Sequence, residues 1–508
     1  MNEAIFDHDT TDPRREIERN LRPEDWCNPV PDGRYNLAVI GAGPAGLTAA
    51  RIAAGLGARV ALIEANVLGG DCTNIGCVPS KAIIRSGRLH ADMARARHFG
   101  GVAIEAIPDQ ALALDRVRKA QARISRSETA ALLRAEGIDL YFGKARFADH
   151  RSLRVGDTTI RFARAIVATG GTLLPPDVPG LAEIGHETVE TLFNRDTLPR
   201  RMMVIGGGPL GCEMAQALCR LGVEIILVQN TPKFLPREER DAAQLLSESL
   251  ARDGIQIHLN TTATRARRTA QGKEIALSTG GDTFAITVDE VLTGVGRMPR
   301  IAGLDLDAAG IKADPVTGIA VDDFMRTSNR RVFAAGDVCG GYMFTHVADA
   351  AARLAVQNAL FFGRKRFSRL TIPWCTFTDP EIAHVGLYAD QAFSKGIAIK
   401  TYTVLMHEVD RAITDGEETG FVKIHTAQGT DRIVGATVVA RHAGEMLNEI
   451  TLAMERRIGL RALSGVIHAY PTQSAAIRSA ADACVADRLT PRLRRVSGWW
   501  MSALRRAG

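Results

Sequence analysis

Tyr35-Asn-Leu-Ala-Val-Ile-Gly-Ala-Gly-Pro-Ala-Gly46 joins a short apolar run to the pattern G-x-G-x-x-G. A continuous apolar run of this length suits a parallel strand covered on both faces. Each glycine has its own task at the strand-to-helix turn. Gly41 permits the tight turn, Gly43 lets the backbone approach a pyrophosphate, and Gly46 lets the helix lie close to the strand. The Ala-rich helix that follows, to about Leu56, presents free N–H groups to phosphate charge. A second run, Arg59-Val-Ala-Leu-Ile63, ends at Glu64, where a carboxylate can accept from ribose hydroxyls. The stretch therefore predicts a β-α-β unit that binds a dinucleotide.

The arrangement recurs. Arg201-Met-Met-Val-Ile205 leads into Gly206-Gly-Gly208-Pro-Leu-Gly211, a helix to about Leu221, and the run Val223-Glu-Ile-Ile-Leu-Val228. The place matching Glu64 falls on Gln229. A carboxylate there would repel a 2′-phosphate, so its loss favours NADPH over NADH. Lys233 and Arg237 lie just beyond; they could pair with such a phosphate or be solvated surface charges.

Two dinucleotide folds in one chain organise the rest. Residues 82 to 140 carry long helical patterns, Thr293 to Pro299 reads as a turn, and Arg331-Val-Phe-Ala-Ala-Gly-Asp337 as a strand ending in Gly-Asp. From about Thr371, alternating runs such as Gly420-Phe-Val-Lys-Ile424 suggest an antiparallel sheet. The expected class is α/β, with two Rossmann-like domains and a C-terminal α+β domain. The expected partition is an extension (1–34), a first dinucleotide domain in two parts (35–185 and 299–368), a second (186–298), a C-terminal domain (369–485) and a basic tail (486–508).

Length and composition agree. The chain has 508 residues, too many for one core. The net charge of +6 is mild and aromatics are only 5%, so nucleic-acid binding is not expected. No apolar run reaches the roughly 18 residues of a membrane span, and Met1 to Asn28 has no apolar signal region. A cytoplasmic protein without an integral membrane segment is expected. The stretch Arg492 to Arg506, basic with Trp499 and Trp500, could lie on a membrane or partner, or be a solvated or dimer-contacting helix.

Gly69-Gly-Asp-Cys72-Thr-Asn-Ile-Gly-Cys77-Val-Pro-Ser-Lys81 is the most specific stretch. Four residues separate the cysteines. A disulfide can close across that span where the backbone is irregular or opens a helix, and Gly76 and Pro79 allow the bend. A cysteine at a helix start also has its thiolate favoured. Two structural thiols or half a metal site are the other readings, but no second close cysteine pair completes a zinc site.

At these residues the chain resembles the FAD-dependent pyridine nucleotide–disulfide oxidoreductases, from about Tyr35 to Asp482. It is similar above all to the mercuric reductase-like branch, notably in Asp323-Phe-Met-Arg-Thr-Ser-Asn329 and Phe377-Thr-Asp-Pro-Glu381. The resemblance implies that Gly41, Gly43, Gly46 and Glu64 hold the adenosine and pyrophosphate of FAD. It implies that Gly336 and Asp337 bind the ribityl chain or pyrophosphate, and that Ala168, Thr169 and Gly170 form the crossing between the domains. Gly206, Gly208, Gly211, Gln229 and Lys233 would bind NADP or NAD, together with Gly296 and Arg297 of a Gly-Arg-x-Pro element. Lys81 would lie near the flavin and pair with Glu213. Cys77 would be the thiol nearer the flavin, Cys72 the one facing the substrate, and the C-terminal domain would make a homodimer.

The chain departs from the pattern near its end. Thiol–disulfide members carry a catalytic His and a Glu; here His468-Ala-Tyr470-Pro-Thr-Gln-Ser-Ala475 puts Tyr470 and Ala475 in their places. A phenol, with an ordinary pKa of about 10, is a poor general base at neutral pH. Mercuric reductases resemble this chain in having Tyr there. They usually add a vicinal C-terminal Cys pair, whereas Cys484 stands alone, as does Cys27. The first expectation is reduction of a soft metal ion, Hg(II) foremost. A small-disulfide reductase or diaphorase, with His468 as a displaced base, is the second, and a low-turnover flavin sensor the third.

Overall fold

The computed structural model describes residues 12–102, 107–361 and 363–506. Residues 1–11 of the expected extension, and 507 and 508 of the tail, lie outside them. The chain divides into two compact units: Met1–Asn230 with Ile255–Arg369, and Thr231–Gly254 with Leu370–Gly508.

In the first unit, the strand Arg34–Ile40 lies between Val60–Glu64 and Thr158–Val167, parallel to both. Ile138–Phe142 extends the parallel set beyond Val60–Glu64, and Val332–Ala334 runs parallel to Thr158–Val167. Ser152–Val155 and Ala145–Asp149 continue the sheet antiparallel, giving seven strands. Every residue of Val60–Glu64 is buried, which is why that run shows no polar alternation. The helices Pro44–Gly55 and Thr345–Leu360 supply much of the core on one face, through Leu47, Ala50, Ala352 and Val356.

A second, four-stranded parallel sheet runs Gln256–His258, Glu224–Val228, Arg201–Ile205, Glu290–Thr293. Beside it in sequence is an antiparallel meander of Thr261–Thr269, Gly272–Thr279 and Asp282–Val288. The segment read as a turn, Thr293 to Pro299, is shorter than expected: Thr293 ends one strand and Arg297–Pro299 forms another, paired with Gly171–Leu173. The reason is long-range pairing, which a three-residue strand does not announce locally.

The leading segment is helical at Pro13–Leu21, capped by Asp12. Leu21 is fully buried, its carbonyl accepts from the Leu68 amide at 3.2 Å, and Glu16 pairs with Arg126 at 2.6 Å. Trp26 stacks edge-on against Phe142.

The second unit holds a five-stranded antiparallel sheet in the order Pro373–Thr376, Glu381–Gly386, Ile433–Ala440, Phe421–Ala427, Ile399–Leu405. The helices Ala443–Glu455 and Ala475–Ala486 close its core through Met446, Ile450, Ile477 and Ala480. The fold class is thus the expected one. Among the described residues no helix is long and apolar enough to cross a membrane.

Candidate active site

The thiols sit where one helix stops and another starts. Cys72 lies in the short helix Gly70–Asn74, and Cys77 is the first residue of Cys77–Ala94. Gly76 makes the break, at φ −109° and ψ −102°. Side chains brace the short helix from below. Asn74 Nδ2 donates to the carbonyls of Leu68 and Gly70, each at 2.8 Å. Gln121 Nε2 donates to those of Thr73 and Asn74, and Thr73 donates to Glu128 at 3.0 Å.

Both cysteines are free thiols, and their environments differ. Cys77 Sγ lies 3.2 Å from the hydroxyl of Thr345, the first residue of the helix Thr345–Leu360. Two helix starts therefore face one sulfur, and helix N-termini favour negative charge. The Cys77 thiol is lowered to about 6, first because Cys72 donates to it, then through Thr345 and the Lys81 ammonium. The Cys72 thiol is pushed up, by donating to Cys77, by burial and by the nearby Glu128 carboxylate. Both directions favour the negative charge on Cys77 and the proton on Cys72 in the reduced pair.

Lys81, one turn along from Cys77, reaches Glu213 of the second fingerprint's helix, Nζ to Oε2 at 2.8 Å. The Glu213 side chain is 5% exposed and that of Lys81 36%. Arg297 forms an ion pair with Asp71, next to Cys72, and its Nε lies 3.5 Å from Asp337 Oδ2. Burial pushes the Asp337 carboxyl up. Sequence reasoning grouped Arg297 with the nicotinamide residues and did not foresee these two carboxylates or Thr345. No local pattern marks these contacts: Arg297 and Asp71, and Cys77 and Thr345, are more than 200 residues apart in sequence, and Asp337 lies 40 residues beyond Arg297.

The two fingerprints share one internal device. Ala42 N donates to Glu64 Oε2 at 2.7 Å, and Gly207 N donates to Gln229 Oε1 at 2.7 Å. The amide does at the second turn what the carboxylate does at the first. Glu64 Oε1 accepts from Asn66 N, and burial raises its carboxyl. The glycines are demanded locally. A Cβ on Gly41 would come within 2.3 Å of the Ala168 carbonyl oxygen, and one on Gly46 within 1.7 Å of the Gly41 oxygen. Gly206 and Gly211 are equally crowded, by Gly294 and Gly206. The middle glycines are not. Gly208 faces open space, and Gly43 meets only Gly70 Cα at 3.6 Å. Each begins a helix with no side-chain cap and no acid in the first turn. Open space before uncapped helix N–H groups fits a pyrophosphate at both turns.

Around the first turn, Gly336, at φ +83°, packs against Ala45 and Ala348, which brings Asp337 to the start of the Pro44–Gly55 helix. Thr169 Oγ1 donates to the Arg300 carbonyl at 2.7 Å, and Gly170 accepts from Arg300 N. Gly296, at φ +125°, adjoins Leu174. These residues fit the polar lining of a flavin dinucleotide: buried carboxylates that accept hydroxyls, and helix amides for phosphate.

In the second unit, Lys233 and Arg237 are exposed. Tyr470 is 78% exposed and donates to Asp410 Oδ2 at 2.9 Å, which raises its phenol pKa. His468 Nε2 lies 2.9 Å from Glu449 Oε1, and Nδ1 3.1 Å from the Val466 carbonyl. Cys484 is buried.

Comparisons with known proteins identify the family. Residues 35–352 match the pyridine nucleotide-disulphide oxidoreductases, and residues 372–481 match their dimerisation domain. A mercuric reductase of Staphylococcus aureus is 30% identical over 451 residues, covering 89% of this chain and 82% of the relative. A dihydrolipoyl dehydrogenase of Thermus scotoductus is 34% identical over 452 residues, covering 88% and 97%. Among solved structures, LpdA of Mycobacterium tuberculosis superposes with a TM-score of 0.81 at 29% identity, covering 88% of this chain and 99% of its own. The HOCl-induced flavoprotein disulfide reductase RclA of Escherichia coli gives 0.79 at 27% identity, covering 88% and 99%.

Proposed function

Since this chain belongs to the pyridine nucleotide-disulphide oxidoreductases, whose members use FAD and NAD(P)H, we propose that it reduces a thiophilic metal ion, Hg(II) foremost, through Cys72 and Cys77. FAD supplies, when bound, the two-electron relay between the nicotinamide and the sulfur pair. Gly41, Gly43, Gly46, Glu64, Thr169, Gly170, Gly336 and Asp337 hold FAD on this reading. Gly206, Gly208, Gly211, Gln229, Lys233 and Gly296 hold the nicotinamide coenzyme within a domain of residues 186–298. Arg297 joins the nicotinamide set on this reading and is tied to Asp71 and Asp337. The C-terminal domain joins two copies into a homodimer.

What supports the metal-ion reading is a pair of free thiols, with Cys77 Sγ 3.2 Å from the Thr345 hydroxyl and its thiol lowered while that of Cys72 is raised, in a chain that carries Tyr470 where the thiol–disulfide members carry His. Attack on a disulfide needs the exchanging sulfur as thiolate, and Tyr470, its phenol raised by Asp410, is a poor base to make it so. A soft cation needs no such base, because coordination itself displaces the thiol proton. The sum balances: NAD(P)H gives up two electrons and a proton, and Hg(II) takes both electrons to become Hg(0).

A second reading rests on His468 and Glu449. Their 2.9 Å contact makes an imidazole–carboxylate pair two residues from Tyr470, suited to proton transfer in disulfide exchange. One assay separates the readings: NADPH oxidation by Hg(II) in excess thiol, measured beside lipoamide and glutathione disulfide. Metal turnover well above both disulfides is expected. Robust lipoamide turnover would assign the chain to the dihydrolipoyl dehydrogenase type instead.

A further inference from the structure

We propose that the helix Pro491–Arg506 is an interfacial anchor that lies along the surface of an anionic phospholipid bilayer. Its sequence is Pro-Arg-Leu-Arg-Arg-Val-Ser-Gly-Trp-Trp-Met-Ser-Ala-Leu-Arg-Arg, with five arginines and no acidic residue. At about 3.6 residues per turn, Leu493, Val496, Trp500, Ala503 and Leu504 fall within an arc of about 100°. Arg494, Arg495, Arg505 and Arg506 occupy the opposite side. Arg492 and Trp499 stand at one margin and Met501 at the other.

None of these side chains is buried. Trp499 is 72% exposed, Trp500 56% and Val496 64%. A clean apolar stripe open to water along its whole length calls for a cover. The helix is too short and too charged to span a bilayer, and suits one lying in the interface plane. The indole of Trp499, at the margin between the two faces, matches the headgroup level, where an amphipathic ring has both an apolar and a wet side, while Trp500 lies within the stripe.

Charge decides the occupant. A second copy of this helix would bring five more arginines and no carboxylate against the first, so self-pairing sets like charges together. An anionic lipid surface offers acidic headgroups to the basic face and acyl chains to the stripe at once. The helix start is fixed locally: Pro491 is its first residue, and Leu493 N donates to Thr490 Oγ1 at 3.2 Å. Ser497, which borders the stripe, turns its hydroxyl back to the carbonyl of Leu493 at 2.9 Å, which removes a polar donor from the lipid side.

The test is flotation of the full-length, FAD-loaded protein with vesicles of phosphatidylcholine alone or mixed with phosphatidylglycerol. The bound fraction should rise at least about tenfold with phosphatidylglycerol and fall steeply as salt is added. The double variant Arg494→Glu/Arg505→Glu, and a chain ending at Thr490, should both lose that gain while NADPH turnover with a soluble acceptor persists. Trp500→Ser should weaken binding without changing its salt dependence. No enrichment on phosphatidylglycerol vesicles would overturn the proposal, as would equal binding by the shortened chain. If shortening instead converts a dimer into a monomer, the stripe belongs to a second copy and the proposal fails.

Discussion

Replacing Thr345 by valine should raise the pH at which the Cys77 thiolate forms. The hydroxyl stands 3.2 Å from Cys77 Sγ and is one of the groups that hold that thiol at about 6, against an ordinary 9.0. With a midpoint near 6, about nine-tenths of the reduced enzyme carries the thiolate at pH 7; with an ordinary thiol it would be about one hundredth. A hydrogen bond to a charged group contributes about 1.5–3 kcal/mol, and the exposure of Cys77 puts this one at the low end. One pH unit corresponds to about 1.4 kcal/mol, so Thr345→Val should move the midpoint up by about one unit and leave about half the thiolate at pH 7. The measurement is the pH dependence of the long-wavelength thiolate-to-flavin band in enzyme reduced anaerobically by NADPH, with Cys77→Ser as the blank. Cys72→Ser should keep the band. The sign extends to stability. A folded value below the unfolded one means that the thiolate's contribution is complete above about 9 and fades as pH falls through about 6. An unmoved midpoint, a shift downward, or a band that disappears with Cys72→Ser instead would refute this account of the pair.

Lys81→Met should destabilise the protein by about 3 kcal/mol, because the buried Glu213 loses its 2.8 Å partner. In urea unfolding, Lys81→Met/Glu213→Leu should recover most of that loss, and a purely additive double variant would deny the coupling. Gln229→Glu should keep the turn intact, since a carboxylate oxygen can accept from Gly207 N as the amide does. It should lower kcat/KM for NADPH relative to NADH by at least about tenfold, so an unchanged ratio would remove Gln229 from coenzyme choice. If the Tyr470 phenol oxygen steers the metal ion, Tyr470→Phe should slow Hg(II) turnover without altering flavin reduction by NADPH, and His468→Gln should leave Hg(II) turnover intact. The reverse pattern would favour the His468–Glu449 reading.

Where the controlling interactions are local, the sequence was readable. Crowding at Gly41, Gly46, Gly206 and Gly211 arises from atoms a few residues away or at the end of a neighbouring strand, so the glycine pattern carried the two turns. The wholly buried Val60–Glu64 carried its parallel pairing for the same reason. Of the two residues read as allowing a bend between Cys72 and Lys81, Gly76 does break the chain between two helices, whereas Pro79 lies in the first turn of the helix Cys77–Ala94. Contacts that close over long sequence distances were not. Thr345 stands 268 residues from Cys77, and Arg297 226 residues from Asp71. Neither a threonine opening a helix nor an arginine after a glycine says which partner it will meet. Gln229 shows a subtler limit. Its missing charge was visible, but its amide bond to the Gly207 backbone needs coordinates.

The leading helix Pro13–Leu21 changes how the thiol loop should be handled. Leu21 receives the Leu68 amide, and Arg22 donates to the carbonyls of Ala65 and Asn66, all just upstream of Gly69. The segment before the first fingerprint is thus a splint for the peptide that carries both sulfurs. Trimming the gene to begin at the first strand, a tempting choice for expression, would remove that support and bare the hydrophobic seat of Leu21. A preparation shortened in this way would report on a loosened thiol loop rather than on the native enzyme.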